Sequence, residues 1–209
     1  MRIAIFGATG RTGRHLVEKA LQAGHDVVAF VRDPQRARWQ HERLSLVQGD
    51  AREREKVQQA VKGVDAVLSA LHPAGNTPER AVTQATANIV RAMEEEGVER
   101  IVASCGAGVS FPQDQPRLLN RVIGWMVRTF ARNVYEDMKG AAEQITTSSL
   151  KWTLVRVPVL TEEPAKGHVN VDYVGSGTGP RLSREDMAAF MLEQVERDDH
   201  LHDVPVISN

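Results

Sequence analysis

The segment Ile3–Val17, IAIFGATGRTGRHLV, constrains the fold more than any other part of the chain. Four apolar residues run into a turn with three glycines at a spacing of three, and a helical pattern begins directly after the turn. A strand that enters such a turn and opens a helix gathers free backbone N–H groups and the positive helix end around one point. The segment therefore predicts the first βα unit of a parallel sheet, with an anion-binding turn at its centre.

Strand and helix patterns alternate through most of the remaining chain, which is typical of a parallel sheet covered by crossover helices. We therefore predict an α/β fold, a Rossmann-type doubly wound parallel sheet. The predicted strands are residues 3–6, 26–31, 44–47, 65–70, 100–105 and 152–157. The predicted helices are one that stops at Gly24, a short one that ends near Gly63, and longer ones over about 78–96 and 117–148, the last in one or two segments.

Glycine and proline become frequent after Val157, so the later part is predicted to be smaller and richer in loops. Ser183 is expected to cap a final helix, with Glu185 and Asp186 in its first turn. A chain of 209 residues fits one domain. We therefore expect a single Rossmann domain over 1–209, in which about 157–209 contributes a substrate lobe that forms the far wall of a cleft.

The composition restricts the partners and the compartment. The formal net charge of −1 indicates neither nucleic acid nor a membrane surface as a partner. No run of eighteen apolar residues is present and a strand pattern follows Arg2 directly, so we expect a cytoplasmic protein. The expected partner is a small-molecule substrate, and the expected oligomeric state is a monomer or a homodimer. The single cysteine, Cys105, excludes an internal disulfide and dithiol chemistry. The acidic and histidine-rich run at 198–203 is interpreted as a solvated turn, so no metal is predicted.

The type of residue at the end of the second strand distinguishes a binding site for NAD from one for NADP. An acidic residue there holds the ribose 2′-hydroxyl, whereas an arginine accommodates a 2′-phosphate. Arg32 occupies this place, and Pro34 turns the chain just after Asp33. We therefore expect NADP(H). Asp50, after the third strand, is expected to meet the adenine amino group, to cap a helix, or to do both.

The predicted cofactor-binding residues lie in the glycine turn and at the carboxyl ends of the following strands, where open α/β sheets bind ligands. They are Gly7, Thr9, Gly10, Arg11, Thr12, Gly13, Arg32, Asp50, Ala51, Ala70, Leu71 and Ser104.

Several segments together resemble a known group of proteins. They are GATGRTG at 7–13, VRD at 31–33, GD at 49–50, ANIVRAMEEEGVERIV at 87–102 and LKWTLVR at 150–156. The chain resembles atypical short-chain dehydrogenases/reductases, and among them the small NAD(P)H-binding proteins similar to biliverdin-IXβ reductase/flavin reductase and NmrA-like proteins. The resemblance covers nearly the whole chain. It implies a Rossmann domain of about this length, NADPH binding, and hydride transfer to a planar acceptor such as a flavin or tetrapyrrole.

The resemblance breaks at the end of the fifth strand. In the flavin reductase relatives this strand leads into a C-T-S-A stretch whose serine lies beside the nicotinamide. The corresponding run here is SCGA at 104–107, which puts Gly106 where that serine is expected. Ser104, or the thiol of Cys105, is then expected to take the place of the serine.

A second catalytic pattern lies in the predicted helix that follows. Tyr135, Lys139 and Glu143 resemble the Y-x-x-x-K-x-x-x-E pattern of extended short-chain dehydrogenases. Tyr135 and Lys139 lie one turn apart on one helix face, where an ammonium lowers the pKa of the phenol and the hydroxyl exchanges a proton with a substrate oxygen. Ser104, Tyr135 and Lys139 are therefore the predicted catalytic set. The alternative is a packed ring and a solvated ammonium.

These patterns together predict an NADPH-dependent oxidoreductase that transfers hydride to a small or planar acceptor, such as a flavin, a quinone or a carbonyl compound. The alternative is an NmrA-like protein that binds and senses NADP(H) without turnover. Such a sensor needs the glycine turn but none of the three predicted catalytic residues.

Overall fold

The computed structural model of the protein describes residues 1–116 and 118–209, with the side chains at 119–123 and 127 left out. The strands are Arg2–Phe6 (β1), Asp26–Val31 (β2), Leu44–Gln48 (β3), Ala66–Ser69 (β4), Arg100–Gly106 (β5), Lys151–Val157 (β6), Val159–Thr161 (β7), Asn170–Asp172 (β8), Arg181–Ser183 (β9) and Val206–Ser208 (β10). The helices are Arg11–Gln22 (α1), Arg54–Val61 (α2), Ala81–Glu96 (α3), Leu118–Phe130 (α4), Arg132–Thr146 (α5) and Arg184–Glu193 (α6). Within the described residues, none of them combines the length and the apolar character that a membrane span requires.

Eight of these strands form one central sheet in the order β3-β2-β1-β4-β5-β6-β10-β8. All neighbours are parallel except β8, which runs antiparallel to β10. Strands β7 and β9 pair separately. The strand order reverses between β1 and β4, and the carboxyl ends of the strands at such a point open the crevice in which doubly wound sheets bind ligands. The predicted Rossmann-type fold is confirmed.

The inner strands of the central sheet are buried on both faces, which explains why they are continuous apolar runs. In β1, Ile3 and Ile5 face the layer that contains α1 and α6, whereas Ala4 and Phe6 face the layer that contains α2, α3 and α5. The same alternation continues through β2. The sheet therefore holds the carboxyl end of β1 rigidly between two helical layers.

The helical region predicted over 117–148 is divided into two helices. The break lies at Ala131, whose φ of −125° and ψ of 40° are not helical, and α5 begins after it. Arg117, the predicted first residue of the region, lies outside the described residues.

The part of the chain after Val157 departs most from the prediction. Strands β8 and β10 extend the central sheet, and β7, β8 and β9 are each only three residues long, which is too short for an alternating pattern to stand out. Ser183 precedes α6 as predicted, but the expected side-chain cap is wrong. The Ser183 hydroxyl instead donates to the Glu163 carbonyl at 3.0 Å and ties β9 to the loop after β7.

Candidate active site

A cleft of about 920 Å³ opens at the carboxyl ends of the central strands and extends to α6. All the predicted cofactor-binding residues except Gly13 line it. They are Gly7, Thr9, Gly10, Arg11, Thr12, Arg32, Asp50, Ala51, Ala70, Leu71 and Ser104.

The glycine turn lets α1 begin directly against the end of β1. Gly7 has a φ of +78°, and a Cβ at this position would lie 2.8 Å from the Ala70 carbonyl oxygen. A Cβ at Gly13 would lie 2.0 Å from the carbonyl oxygen of Gly7, so a side chain there would push α1 off the turn. Gly10 at the N-cap has no side chain to accept from the first-turn N–H groups, and no acidic residue lies in that turn. These N–H groups and the helix dipole fit a dinucleotide diphosphate.

Positive charge lies at the end of the cleft beyond β2. Arg32 and Arg36 both line it. Asp33 lies between them in sequence, but its carboxylate accepts from the Gln35 N–H at 3.0 Å and thereby caps the short 3₁₀ turn Pro34–Arg36. The acidic side chain that follows β2 is therefore engaged by its own turn, while the two guanidinium groups border the cleft.

Asp50 faces this end of the cleft together with Arg52. The Arg52 guanidinium donates to Asp50 Oδ1 at 3.0 Å and to Oδ2 at 2.7 Å, and the Arg52 backbone N–H donates to Oδ1 at 2.9 Å. The side-chain hydrogen bond from Arg52 lowers the pKa of Asp50 to about 2, so the carboxylate is charged at neutral pH. The helix-cap alternative for Asp50 is wrong, because α2 begins after Glu53.

The carboxyl end of β5 forms the other end of the cleft. Ser104, Cys105 and Gly106 all line it, and the Ser104 hydroxyl donates to the Ser69 carbonyl at 3.4 Å. Burial raises the pKa of Cys105 to about 12, so this thiol stays protonated at neutral pH and is a weak donor at most. A Cβ at Gly106 would meet nothing within 4 Å. Of the two groups expected to replace the serine of the relatives, Ser104 therefore carries the stronger hydrogen-bond donor.

Tyr135 and Lys139 lie in α5. Neither is among the described residues that line the cleft, whereas Ser104 is. The Lys139 ammonium is 3.5 Å from a Glu143 carboxylate oxygen, and the side chains of Lys139 and Glu143 are about half exposed. The catalytic role of Ser104, Tyr135 and Lys139 stays a prediction.

The residue of α5 that reaches the cleft is Asp137, which the sequence analysis missed. Its buried carboxylate accepts from the N–H of Val82 at 3.1 Å and from the N–H and hydroxyl of Thr83 at 2.7 and 2.8 Å. Asp137 thereby caps α3 from a neighbouring helix. Gly140 allows α3 and α5 to approach closely because it has no side chain. A Cβ at this position would lie only 2.6 Å from the Thr83 hydroxyl oxygen. An aspartate between Val134, Met138 and Ala141 on the inner face of a helix is the signal that would have found it.

Arg184, the first residue of α6, was also missed. It lines the cleft, and its Nη1 donates to the Thr12 hydroxyl at 3.2 Å. Its Nε donates to Glu162 Oε1 at 2.8 Å, and Arg11 Nη1 lies 3.2 Å from the same oxygen. These contacts join the chain after β7 to the glycine turn.

Two loops beside the cleft are fixed by one buried ion pair. Arg156 of β6 is fully buried and pairs with Asp114 in the loop that follows β5. Burial alone raises the pKa of Asp114, but hydrogen bonds from Arg156 and from backbone N–H groups outweigh it and hold the pKa below its usual value. One of these N–H groups belongs to Val174, so the pair ties the 110–116 loop to the segment after β8.

The 198–203 run forms a hydrogen-bonded turn. His200 Nδ1 lies 3.0 Å from Asp203 Oδ2, and the Tyr173 hydroxyl donates to Asp203 Oδ1 at 2.9 Å. Over the described ranges, no group of three or more histidine, cysteine, aspartate or glutamate side chains is arranged to hold a metal ion.

Comparison with known proteins agrees with this geometry. Residues 7–198 match a family model described as NAD(P)H-binding. The chain belongs to this NAD(P)H-binding family. Its family relatives include Oxidoreductase aflX of Aspergillus parasiticus, with 26% identity over 99% of this chain and 82% of the relative. Oxidoreductase stcQ of Emericella nidulans is 27% identical over 98% of this chain and 81% of the relative. The prediction of an NAD(P)H-binding oxidoreductase is confirmed at the level of the family.

Solved structures show the same fold across the whole chain of this NAD(P)H-binding protein. The oxidoreductase ylbE from Lactococcus lactis superposes with a TM-score of 0.83 at 20% identity, covering 100% of this chain and 91% of its own. ChuY, described as an anaerobillin reductase from Escherichia coli O157:H7, superposes with a TM-score of 0.82 at 20% identity, covering 100% and 97%. A short-chain dehydrogenase/reductase from Veillonella parvula in complex with NADP gives 0.79 at 19% identity, covering 100% and 94%.

Proposed function

We propose that the protein is an NADPH-dependent reductase that transfers hydride to a small or planar acceptor, such as a flavin, a quinone or a carbonyl compound. One observation carries the proposal. A single cleft is lined by Arg32, the glycine turn and Ser104, which supports binding of a 2′-phosphate, a diphosphate and an acceptor oxygen at one site. The proposal also agrees with relatives that are named oxidoreductases and with a structural neighbour described as a reductase.

The cofactor half of the proposal assigns one group of residues to each part of NADPH. The N–H groups of the glycine turn bind the diphosphate, because they converge at the start of α1. Arg32 and Arg36 bind the 2′-phosphate, and Asp50 accepts from the adenine amino group. When bound, the cofactor supplies the hydride from its nicotinamide ring.

The acceptor half lies beyond Ser104. The Ser104 hydroxyl donates a hydrogen bond to an acceptor oxygen, and the protonated thiol of Cys105 adds no negative charge beside it. Residues 157–209 act as the substrate lobe, since Pro158, Leu160 and Met187 line the same cleft. With a flavin acceptor the protein mainly aligns two rings, and no side-chain acid is required. The single-domain organisation, the cytoplasmic location and the monomeric or homodimeric state remain predictions.

The proposal is tested by binding and by turnover. Purified protein is titrated with NADPH and NADH by fluorescence, and NADPH oxidation is then followed with FMN, a quinone and a panel of small aldehydes. We expect NADPH to bind about tenfold or more tightly than NADH, and at least one acceptor to be reduced. Equal binding of the two cofactors contradicts the role of Arg32. Tight NADPH binding without turnover on any acceptor favours the NmrA-like sensor instead.

A further inference from the structure

We propose that Arg184 is a second, side-chain binding site for the cofactor diphosphate, and that Glu162 competes with the diphosphate for this guanidinium. The inference rests on the proposed NADPH binding and adds to it a contact from the far side of the cleft. No residue outside the first βα unit was expected to bind the diphosphate from the sequence.

The position of Arg184 brings its guanidinium to the glycine turn from α6. The side chain is 11% exposed, and its Nη1 donates to the hydroxyl of Thr12 in the first turn of α1. Thr12 lines the cleft next to Gly10, where the uncapped N–H groups of α1 converge. A diphosphate bound at these N–H groups would therefore lie within the reach of a guanidinium that is already held beside them.

The contacts of Glu162 show how the positive charge of Arg184 is compensated when no diphosphate is bound. One carboxylate oxygen accepts from Arg184 Nε at 2.8 Å and lies 3.2 Å from Arg11 Nη1. Two cations thus share one anion, which leaves a net positive charge at the turn. A diphosphate carries more charge than a carboxylate and matches the planar fork of a guanidinium. Because Glu162 is 58% exposed, it can leave the pair for water at little cost in free energy.

Replacement of Glu162 by the diphosphate at Arg184 also concerns the part of the cleft wall that contains β7. Glu162 follows β7, and the same segment contributes Pro158 and Leu160 to the cleft wall. Strand β9 pairs with β7 and leads directly into Arg184. Once Glu162 has left, diphosphate binding to Arg184 would still link β9, and through its pairing β7, to the glycine turn.

The test compares ligands with and without a diphosphate. Arg184→Gln and wild-type protein are titrated with NADPH and with 2′-AMP, which carries the 2′-phosphate but no diphosphate. We expect Arg184→Gln to weaken NADPH binding by about tenfold or more and to leave 2′-AMP binding unchanged. The matched control is Arg181→Gln, because Arg181 forms a neighbouring exposed ion pair with Glu163 at 3.6 Å and does not line the cleft. This control is expected to bind both ligands as the wild type does.

A second variant is expected to bind NADPH more tightly, a change that misfolding does not produce. Glu162→Gln removes the competing charge but keeps the shape, so we expect NADPH to bind about threefold or more tightly, with Glu163→Gln as the unchanged control. NADPH binding by Arg184→Gln within about twofold of the wild type overturns the inference and leaves the proposed function intact. Equal losses for NADPH and 2′-AMP also overturn it, because they indicate a general structural effect. If the wild type does not bind NADPH, both the proposed function and the inference fail.

Discussion

The guanidinium of Arg156 donates two parallel hydrogen bonds to the carboxylate of Asp114, from Nη1 to Oδ2 and from Nη2 to Oδ1, each at 2.8 Å. The arginine also donates to the carbonyls of Val109 and Val204, and Asp114 accepts from the N–H of Val174. Such a two-pronged, buried pair fixes both orientation and distance. It therefore holds the loop after β5 and the segment after β8 to β6.

Removal of the charge on Asp114 is expected to destabilise the protein strongly. In Asp114→Asn the fully buried Arg156 loses its counter-ion, and breaking a buried pair in this way costs about 3–5 kcal/mol of unfolding free energy. Urea denaturation measures this loss. Glu99→Gln is the control, because Glu99 pairs with Lys151 on the exposed surface and the change there should be much smaller. A similar stability for the two variants would contradict the role given to the buried pair.

The buried carboxylate of Asp137 is expected to stabilise the start of α3. Asp137→Ala leaves the N–H groups of Val82 and Thr83 without their acceptor, which should lower the free energy of unfolding by about 1–3 kcal/mol. The neighbouring Glu136→Gln is the control, since Glu136 forms an exposed ion pair with Arg80. Hydrogen exchange should show faster opening at the start of α3 in Asp137→Ala alone. Unchanged exchange there would mean that another group caps the helix.

The ion pair between Asp50 and Arg52 predicts a defined pH dependence. The pKa of Asp50 is lowered from 3.8 to about 2, so the stability that this pair contributes is present above about pH 4 and is lost as the pH falls through 2. Arg52→Gln should raise the pKa of Asp50 towards 3.8, as measured by the NMR titration of its carboxyl carbon. Arg54→Gln is the control, because Arg54 pairs with Glu95 instead. A low pKa that survives Arg52→Gln would assign the shift to another group.

Turnover should separate the two predicted proton donors. With a carbonyl acceptor, Ser104→Ala is expected to lower kcat by about tenfold or more, because Ser104 lines the cleft and its hydroxyl would donate to the acceptor oxygen. Tyr135→Phe is expected to stay within about twofold of the wild type, since Tyr135 is not among the described lining residues. NADPH affinity, measured in parallel, should be unchanged in Tyr135→Phe. A large loss of kcat in Tyr135→Phe together with normal NADPH binding would support the Tyr135 and Lys139 hypothesis.

The sequence was sufficient for strands β1 to β6 of the central sheet, because the relevant information is local. Residues 26–31 are one aspartate followed by five apolar residues, and β2 has the predicted bounds. The glycine turn was equally readable, since each glycine relieves a contact with a neighbouring part of the same βα unit or with the adjacent strand end. Such patterns need no knowledge of the rest of the fold.

The remaining parts of the site depend on contacts between distant segments. Asp137 and Val82 are 55 residues apart, and Arg184 and Thr12 are 172 residues apart. No periodicity marks such pairs, because they become neighbours only when the helices pack. The spacing of Tyr135 and Lys139 was visible in the sequence, but the face of α5 that turns towards the cleft was decided by its packing on α3.

The open space next to Gly106, where a Cβ would meet nothing within 4 Å, bears on how the protein could be altered. A Cβ can be added there without collision, whereas a Cβ at Gly7 or Gly13 of the first turn would collide with backbone atoms. If the proposed function holds, single substitutions of Gly106 at the end of β5 are therefore expected to change which acceptor is reduced, while the cofactor contacts of the glycine turn stay unchanged. A library randomised at this one position would then vary acceptor selectivity independently of cofactor binding.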